Sequence, residues 1–343
     1  MLTLYETECY ILRPKRKEEQ MFRLAVWCGL LLLGVALGAP TYVLRYNHVL
    51  GPSHPYHAGL QQWAQRVSER TKGDLQILVF HSAQLGVEED IIEQLRQGVP
   101  VGQNTDGARM GNYVRELGVF NGPYFVDNYQ MVERLISLPV IQTWVDRLAS
   151  QYGIRVLCFN WVQGYRHFMT NKPIRTPQDL QGLRIRTPPA PVWQESVRAL
   201  GATPVALPFG EIYSALQQRA IDGVELVYAN IPDMSLWEVV RNVNETRHFL
   251  LINFQVVGEA WYRRLPMNYR QILTEECRRT GREVSRQIEE NEARIKQEIQ
   301  RRGMTIVSDV DLNAFRQAGL SAYQRLGLLD VRRLIYSQLG LGR

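Results

Sequence analysis

The chain has 343 residues, 45% of them hydrophobic and 22% charged, proportions that exclude a disordered tail protein, a collagen-like repeat and a multi-span membrane protein. Its length suggests two domains. Forty Lys and Arg against 34 Asp and Glu leave a formal charge of +6, too thin an excess to imply nucleic acid without a clustered basic face. Cys9, Cys28, Cys158 and Cys277 show neither CxxC nor zinc-ligand spacing, so a structural zinc site and a thioredoxin-type centre are not expected.

The N-terminus reads as a targeting segment. Residues 24–37 are apolar apart from glycines and Cys28, and Arg23 precedes them. The run is too short for a spanning helix, which needs about 20 residues. Ala36 and Gly38 fall at positions −3 and −1 of a secretory cleavage site. Glu6, Glu8, Glu18 and Glu19 are out of place in a signal n-region, whereas Met21 opens an ordinary one with Phe22 and Arg23. Residues 1–38 are therefore read as a cleavable signal peptide whose true start is Met21; an uncleaved amphipathic anchor is the alternative. Cys158 and Cys277 survive the cut, and an oxidising compartment permits a disulfide. Because Cys158 lies in an apolar strand-like run and Cys277 on a helix, two separate buried thiols are expected.

The mature chain alternates strands and helices. Residues 41–49 read as a strand, 56–71 as a helix with Leu60, Trp63, Ala64 and Val67 at helical spacing, and 75–80 as a strand. Helices follow at 88–96 and across 126–152, broken near Pro139, then a short buried strand at 154–159. Residues 183–187 form a strand ended by Pro188 and Pro189, and 191–200, 211–218 and 267–302 read as helices. This alternation predicts α/β architecture with mostly parallel sheets. The last helix, about 54 Å long at 1.5 Å per residue, is long enough to tie two domains together.

No GxGxxG, P-loop, GxSxG or HExxH sequence is present. His48, His54 and His57 form a local cluster in a proline-containing loop, without the i,i+4 spacing of a helical metal site; they read as cleft-lining histidines, and neither a metal nor a cofactor is expected. Arg186 ends a short strand. A guanidinium there points into the crevice where open α/β sheets bind ligands, and its planar fork suits a carboxylate. Arg184 shares its face by strand period, so only position at the strand mouth separates the two. Arg166 follows the strand at 154–159. Taken by themselves, these arginines read as solvated surface residues.

Five stretches carry a resemblance: His81-Ser-Ala-Gln-Leu-Gly; Gly164-Tyr-Arg-His-Phe-Met-Thr-Asn-Lys-Pro-Ile; Asp179-Leu-Gln-Gly-Leu-Arg-Ile-Arg-Thr-Pro; Leu200-Gly-Ala-Thr-Pro-Val; and Phe209-Gly-Glu-Ile-Tyr-Ser-Ala-Leu-Gln followed by Ile221-Asp-Gly-Val-Glu. In order and spacing, from about Thr41 to about Tyr323, the chain resembles the solute-binding proteins of tripartite ATP-independent periplasmic (TRAP) transporters, dicarboxylate-binding type. The resemblance implies a two-lobed α/β clamshell in the periplasm, its lobes joined by crossover strands and the long helix: 39–163 with 251–291, and 164–250 with 292–343. It implies an organic-acid ligand (a dicarboxylate, sugar acid or 2-oxo or hydroxy acid) and transient docking to a TRAP permease. Arg186 matches the family's carboxylate clamp, Arg166 a second arginine near the ligand, and Phe209 an aromatic that packs on it. Asp106, Arg109 and His48 fall at ligand-lining positions, with Gln163 and Glu225 at the cleft floor.

The chain departs from the family where Leu226 and Val227 follow Glu225, which removes a polar contact, and where 99–102 replace a commoner acidic segment. A few family members hold a cation near the positions of Gln163 and Glu225; Arg166 beside them argues against one here. A secreted α/β enzyme acting on a carboxylated substrate is the competing reading, with Asp106 and His48 as its acid–base pair.

Overall fold

The computed structural model describes residues 39–342. The segment read as a signal peptide, with Met21, Cys9 and Cys28, lies outside them. The first half runs β1 (Tyr42–Asn47), α1 (Pro55–Arg70), β2 (Leu75–Phe80), α2 (Glu88–Arg96), β3 (Val101–Asp106), the single turn α3 (Gly107–Met110), α4 (Tyr129–Ile136) and α5 (Pro139–Tyr152). Proline opens α1 and α5, where its missing N–H leaves no intrahelical bond unmade. Gly153, at φ 72°, ends α5 in the left-handed region. The chain continues through β4 (Ile154–Thr170), β5 (Arg184–Thr187), α6 (Pro191–Ala199), β6 (Thr203–Ala206), α7 (Ile212–Gln217), β7 (Gly223–Val227), α8 (Asn230–Met234) and β8 (Asn242–Gly258). It closes with α9 (Glu259–Arg264), α10 (Met267–Arg301), β9 (Thr305–Val307), α11 (Leu312–Arg325) and α12 (Leu329–Gln338). No described helix is long and apolar enough to cross a membrane.

The strands join one nine-stranded sheet in the order β2-β1-β3-β8-β4-β7-β5-β6, with β9 also on β8. The expectation of mostly parallel pairing holds in the wings, where β1 pairs parallel with β2 and β3, and β5 with β6 and β7, and in the short β9, which pairs parallel with β8. At the centre, β3–β8, β8–β4 and β4–β7 are antiparallel. The cause is the length of β4 and β8, 17 residues each. β8 carries β3 beside its C-terminal half, from Asn253 to Val257, and β4 carries β7 beside its C-terminal half, from Arg166 to Thr170. Each long strand therefore serves both wings. The predicted strand at 154–159 covers only the start of β4.

The 35-residue α10 lies on β4 and α1. Trp63 and Trp161 each donate an indole N–H to its backbone, at Leu273 and Cys277 (3.1 and 3.0 Å). A Cβ on Gly281 would stand 2.6 Å from Trp161, so only glycine admits this approach. Farther along, Lys296 reaches Glu245 of β8 at 2.7 Å. Cys158 and Cys277 are joined by a disulfide, against the expectation of two separate thiols, with Cα atoms 6.1 Å apart. That spacing lies within bonding range, and it is created by the packing of α10 on β4, across a sequence separation of 119.

Candidate functional site

β1, β3, β5 and β7 send their carboxyl ends toward the middle of the sheet, the region where open α/β sheets take ligands. A cleft there has about 450 Å³ of empty space, counted to its solvent mouth. Two features of the backbone place its polar groups. Asp106, the last residue of β3, caps α3 by accepting the Arg109 N–H at 2.9 Å, which turns the Arg109 side chain back on Asp106. On β4, Val162 pairs with Ile252 and Gly164 with Leu251, so Gln163 is the extra residue of a β-bulge. Gln163 and Arg166 are three apart, opposite faces of a regular strand; the bulge brings both to the cleft.

Arg186, Arg166, Arg109, Asp106, Gln163 and Phe209 line this cleft. Arg186 is 2% exposed. Its Nε donates to the Leu207 carbonyl at 2.9 Å, and no carboxylate among the described residues lies within ion-pair distance of it. Burial pulls its pKa down to about 9; Glu225 opposes the shift and the charges of Arg166 and Arg109 add to it. Arg166 differs: its guanidinium binds both the carboxylate and the backbone carbonyl of Glu225 and lies over the Trp193 ring at 4.7 Å.

Glu225 does not itself line the cleft. It is fully buried behind Arg166, accepting from Thr187 Oγ1 at 2.9 Å. Burial would raise its pKa, but Arg166 and His248 hold it down at about 2. Arg109 is shared by three carboxylates: Asp106 at 2.5 Å, Glu88 at 2.8 Å and Glu89 at 2.8 Å. His48 is buried one residue before the cleft-lining Val49, its Nε2 3.1 Å from Nδ1 of His57. The histidine cluster is not wholly loop: His54 caps α1 and His57 sits in its first turn. Among the described residues, no group of three or more His, Cys, Asp or Glu has the arrangement to hold a metal ion. Asp106 and His48, the pair an enzyme would need, are engaged separately, by Arg109 and His57.

Several lining residues escape sequence reasoning. Trp193 and Asn230 are buried in the wall, and Trp193 Nε1 and Asn230 Nδ2 have no hydrogen-bond partner among the described residues. Such donors are rare in protein interiors and point to a ligand or ordered water. The available signal was position, since both lie just past strand ends, Trp193 after β5 and Asn230 after β7. Glu88, which opens α2, is a third; burial raises its carboxyl to about 8 while Arg109 opposes this. Asn104 and Asn253 complete the polar wall. Above the cleft, Asp233 of α8 accepts from the Gly51 N–H at 2.8 Å and from Ser53 Oγ at 2.6 Å, joining the turn after β7 to the loop after β1.

The arrangement offers one unpaired buried cation, two unpaired N–H donors and an aromatic flank, which together suit a small anion with apolar and polar faces. Residues 46–327 match the family described as bacterial extracellular solute-binding protein, family 7. A TRAP periplasmic solute-binding protein from Escherichia fergusonii, solved in an apo open form, is 31% identical, with TM-score 0.76 over 86% of this chain and 99% of that one. Another, from Ochrobacterium anthropi with bound L-fuconate, is 25% identical with TM-score 0.84, covering 87% and 99%. A third, from Fusobacterium nucleatum with bound sn-glycerol-3-phosphate, is 25% identical with TM-score 0.81, covering 87% and 99%. The chain belongs to family 7 of the bacterial extracellular solute-binding proteins, the periplasmic receptors of TRAP transporters, and shares their two-lobed α/β fold.

Proposed function

We propose that this chain captures an organic acid through Arg186 and hands it to a TRAP permease by transient docking, without chemical turnover. The observation that carries the reading is the buried Arg186 guanidinium with no carboxylate of its own. A buried charge is costly unless paired, and a ligand carboxylate supplies the missing partner in bidentate geometry. Arg166, held by Glu225, presents its guanidinium in the same wall. Phe209 covers the apolar flank, and Asn230 and Trp193 donate to the ligand's oxygens. The bound L-fuconate of the 25%-identical relative supports a carboxylate, and the pairing pattern of β4 and β8 supports lobes 39–163 with 251–291 and 164–250 with 292–343. Export follows removal of residues 1–38, which N-terminal sequencing of the periplasmic protein checks. Solute uptake lost on deleting the chain and restored by it checks delivery.

Calorimetric titration of carboxylates tests the site. Losing one partner of a buried charge pair costs about 2–5 kcal/mol, so Arg186→Ala weakens binding by roughly 30-fold to several thousandfold. Arg186→Lys recovers only part of that, because an ammonium lacks the fork. Arg184 is the control. Its side chain is 45% exposed and paired with Asp222 at 2.9 Å, so Arg184→Ala costs under about 1 kcal/mol. Equal losses at the two positions, or none at either, would remove Arg186 from the site.

A further inference from the structure

Away from the cleft, a second pocket opens between α11, α12 and the turn that precedes α4, with about 660 Å³ of empty space counted to its solvent mouth. Pro123, Tyr124, Arg316, Leu320 and Arg332 line it. Three arginines of the two helices have carboxylate partners: Arg316 with Asp127, Arg325 with Glu195 and Arg333 with Asp330. Arg332 has none. No carboxylate among the described residues lies within ion-pair distance of it, and its buried Nε has no hydrogen-bond partner among them.

The guanidinium is nevertheless held in place. Arg332 lies over the Tyr336 ring at 4.4 Å and beside Tyr323 at 5.2 Å, and Arg316 lies over Tyr124 at 4.8 Å, each attracted by the ring's negative face. The rings are fixed in turn, because their phenol protons are spent on backbone carbonyls: Tyr124 on Thr246, Tyr323 on Pro123 and Tyr336 on Phe125, each at 2.8 Å. Tyr124 sits at φ 54°, a left-handed conformation that a side chain with a Cβ adopts at a cost. Its N–H donates to the His248 carbonyl at 2.8 Å, so bonds on both sides hold the strained turn against the pocket. Strain of this kind concentrates at ligand sites.

We propose that this pocket is a second binding site, for a small monocarboxylate with an apolar body, whose carboxylate Arg332 holds. Asp127 already matches the charge of Arg316, so one positive charge is left, which suits one carboxylate better than a dianion such as phosphate. The planar fork of Arg332 takes that carboxylate in bidentate geometry. Pro123 and the exposed Leu320 supply an apolar wall for the ligand body. None of the pocket's lining residues belongs to the cleft, so this assignment and the organic-acid reading of the cleft stand or fall separately.

The test is NMR titration of the mature protein carrying Arg186→Ala, which disables the cleft, with benzoate, benzamide and inorganic phosphate at about pH 7.5, where benzoate is ionised. Benzoate and benzamide share size and shape and differ in charge. The expected result is benzoate binding about tenfold or more tighter than either of the others, the range of a hydrogen bond to a charged group. Arg332→Gln brings benzoate down to the level of benzamide. Leu320→Glu, on the opposite wall, does the same by placing a like charge in the pocket, and it leaves the stacked tyrosines untouched should Arg332→Gln fold poorly. Arg333→Gln, at the neighbouring paired arginine, leaves the affinity unchanged. No benzoate binding, benzamide binding as tight as benzoate, or benzoate binding unaltered by both Arg332→Gln and Leu320→Glu overturns the assignment.

Discussion

His48, His54 and His57 gather where β1 gives way to α1, and burial holds all three below the usual histidine range, His48 at about 3 and His54 at about 4. The mutual proximity of the rings lowers His48 further, whereas Asp233 partly restores His54. The folded protein keeps these rings neutral, while the unfolded chain protonates them near pH 6.5. The unfolded state thus binds more protons below that point, and the stability they contribute is present above about pH 6.5 and lost as pH falls toward 4 and 3. One such group changes stability by up to about 1.4 kcal/mol per pH unit. Glu225, held at about 2, acts in a lower window: its contribution is full above about pH 4.3 and is lost toward pH 2. Thermal melts at about pH 7, 5.5 and 4 therefore show a falling Tm, and His48→Gln flattens that slope. A Tm constant across this range would mean that the histidines titrate normally in the fold.

At the scale of elements, the contact between β4 and α10 ties the fold together. Ser285 of α10 accepts the Val162 N–H at 2.8 Å, beside the bulge that positions Gln163, so the helix supports the same stretch of strand that lines the cleft. The disulfide clamps this contact near Trp161. Closing a loop of 119 residues removes enough unfolded-state entropy for about 4–5 kcal/mol in the chain-entropy account. At roughly 2–4 °C per kcal/mol for chains of about 150–250 residues, and less per kcal/mol in a longer one, reduction by dithiothreitol lowers Tm by on the order of 5–10 °C. The double variant Cys158→Ala and Cys277→Ala does the same and is insensitive to reductant. Identical melts with and without reductant would show that the bond contributes nothing to stability. The bulges of β4 were not legible in the chain: a run such as Cys158 to Val162 is uniformly apolar or amide-bearing, and no local residue marks where the pairing register slips.

For the whole molecule, the decisive contacts are those across the cleft mouth. Asp233 is joined by two hydrogen bonds to Gly51 and Ser53, and a Cβ on Gly51 would lie 2.5 Å from its carboxylate. Hydrogen bonds to a charged group are worth about 1.5–3 kcal/mol each. If the lobes hinge along β4 and β8, these bonds form on closure and break on opening. Small-angle scattering of the mature protein should then show a smaller radius of gyration with a bound acid. Asp233→Ala should weaken that acid by about tenfold or more without touching Arg186. Unchanged dimensions on binding would count against a clamshell.

The helices and wing strands were readable because their signals are local. Residues 75–80 and 88–96 follow from period, glycine stops and acidic first turns, and Arg186 was visible as a guanidinium at a strand mouth. The family motifs raised that residue above Arg184, and tertiary structure supplies the difference: Arg184 is claimed by Asp222 at the surface while Arg186 is buried without a carboxylate. What the chain could not disclose depends on which distant residues meet. The disulfide, the sharing of Arg109 among Glu88, Glu89 and Asp106, and the unpartnered donors of Trp193 and Asn230 each need two or more elements brought together. Charge and hydrogen-bonding capacity are properties of single residues, but whether they are spent within the protein or left for a ligand is settled only by packing.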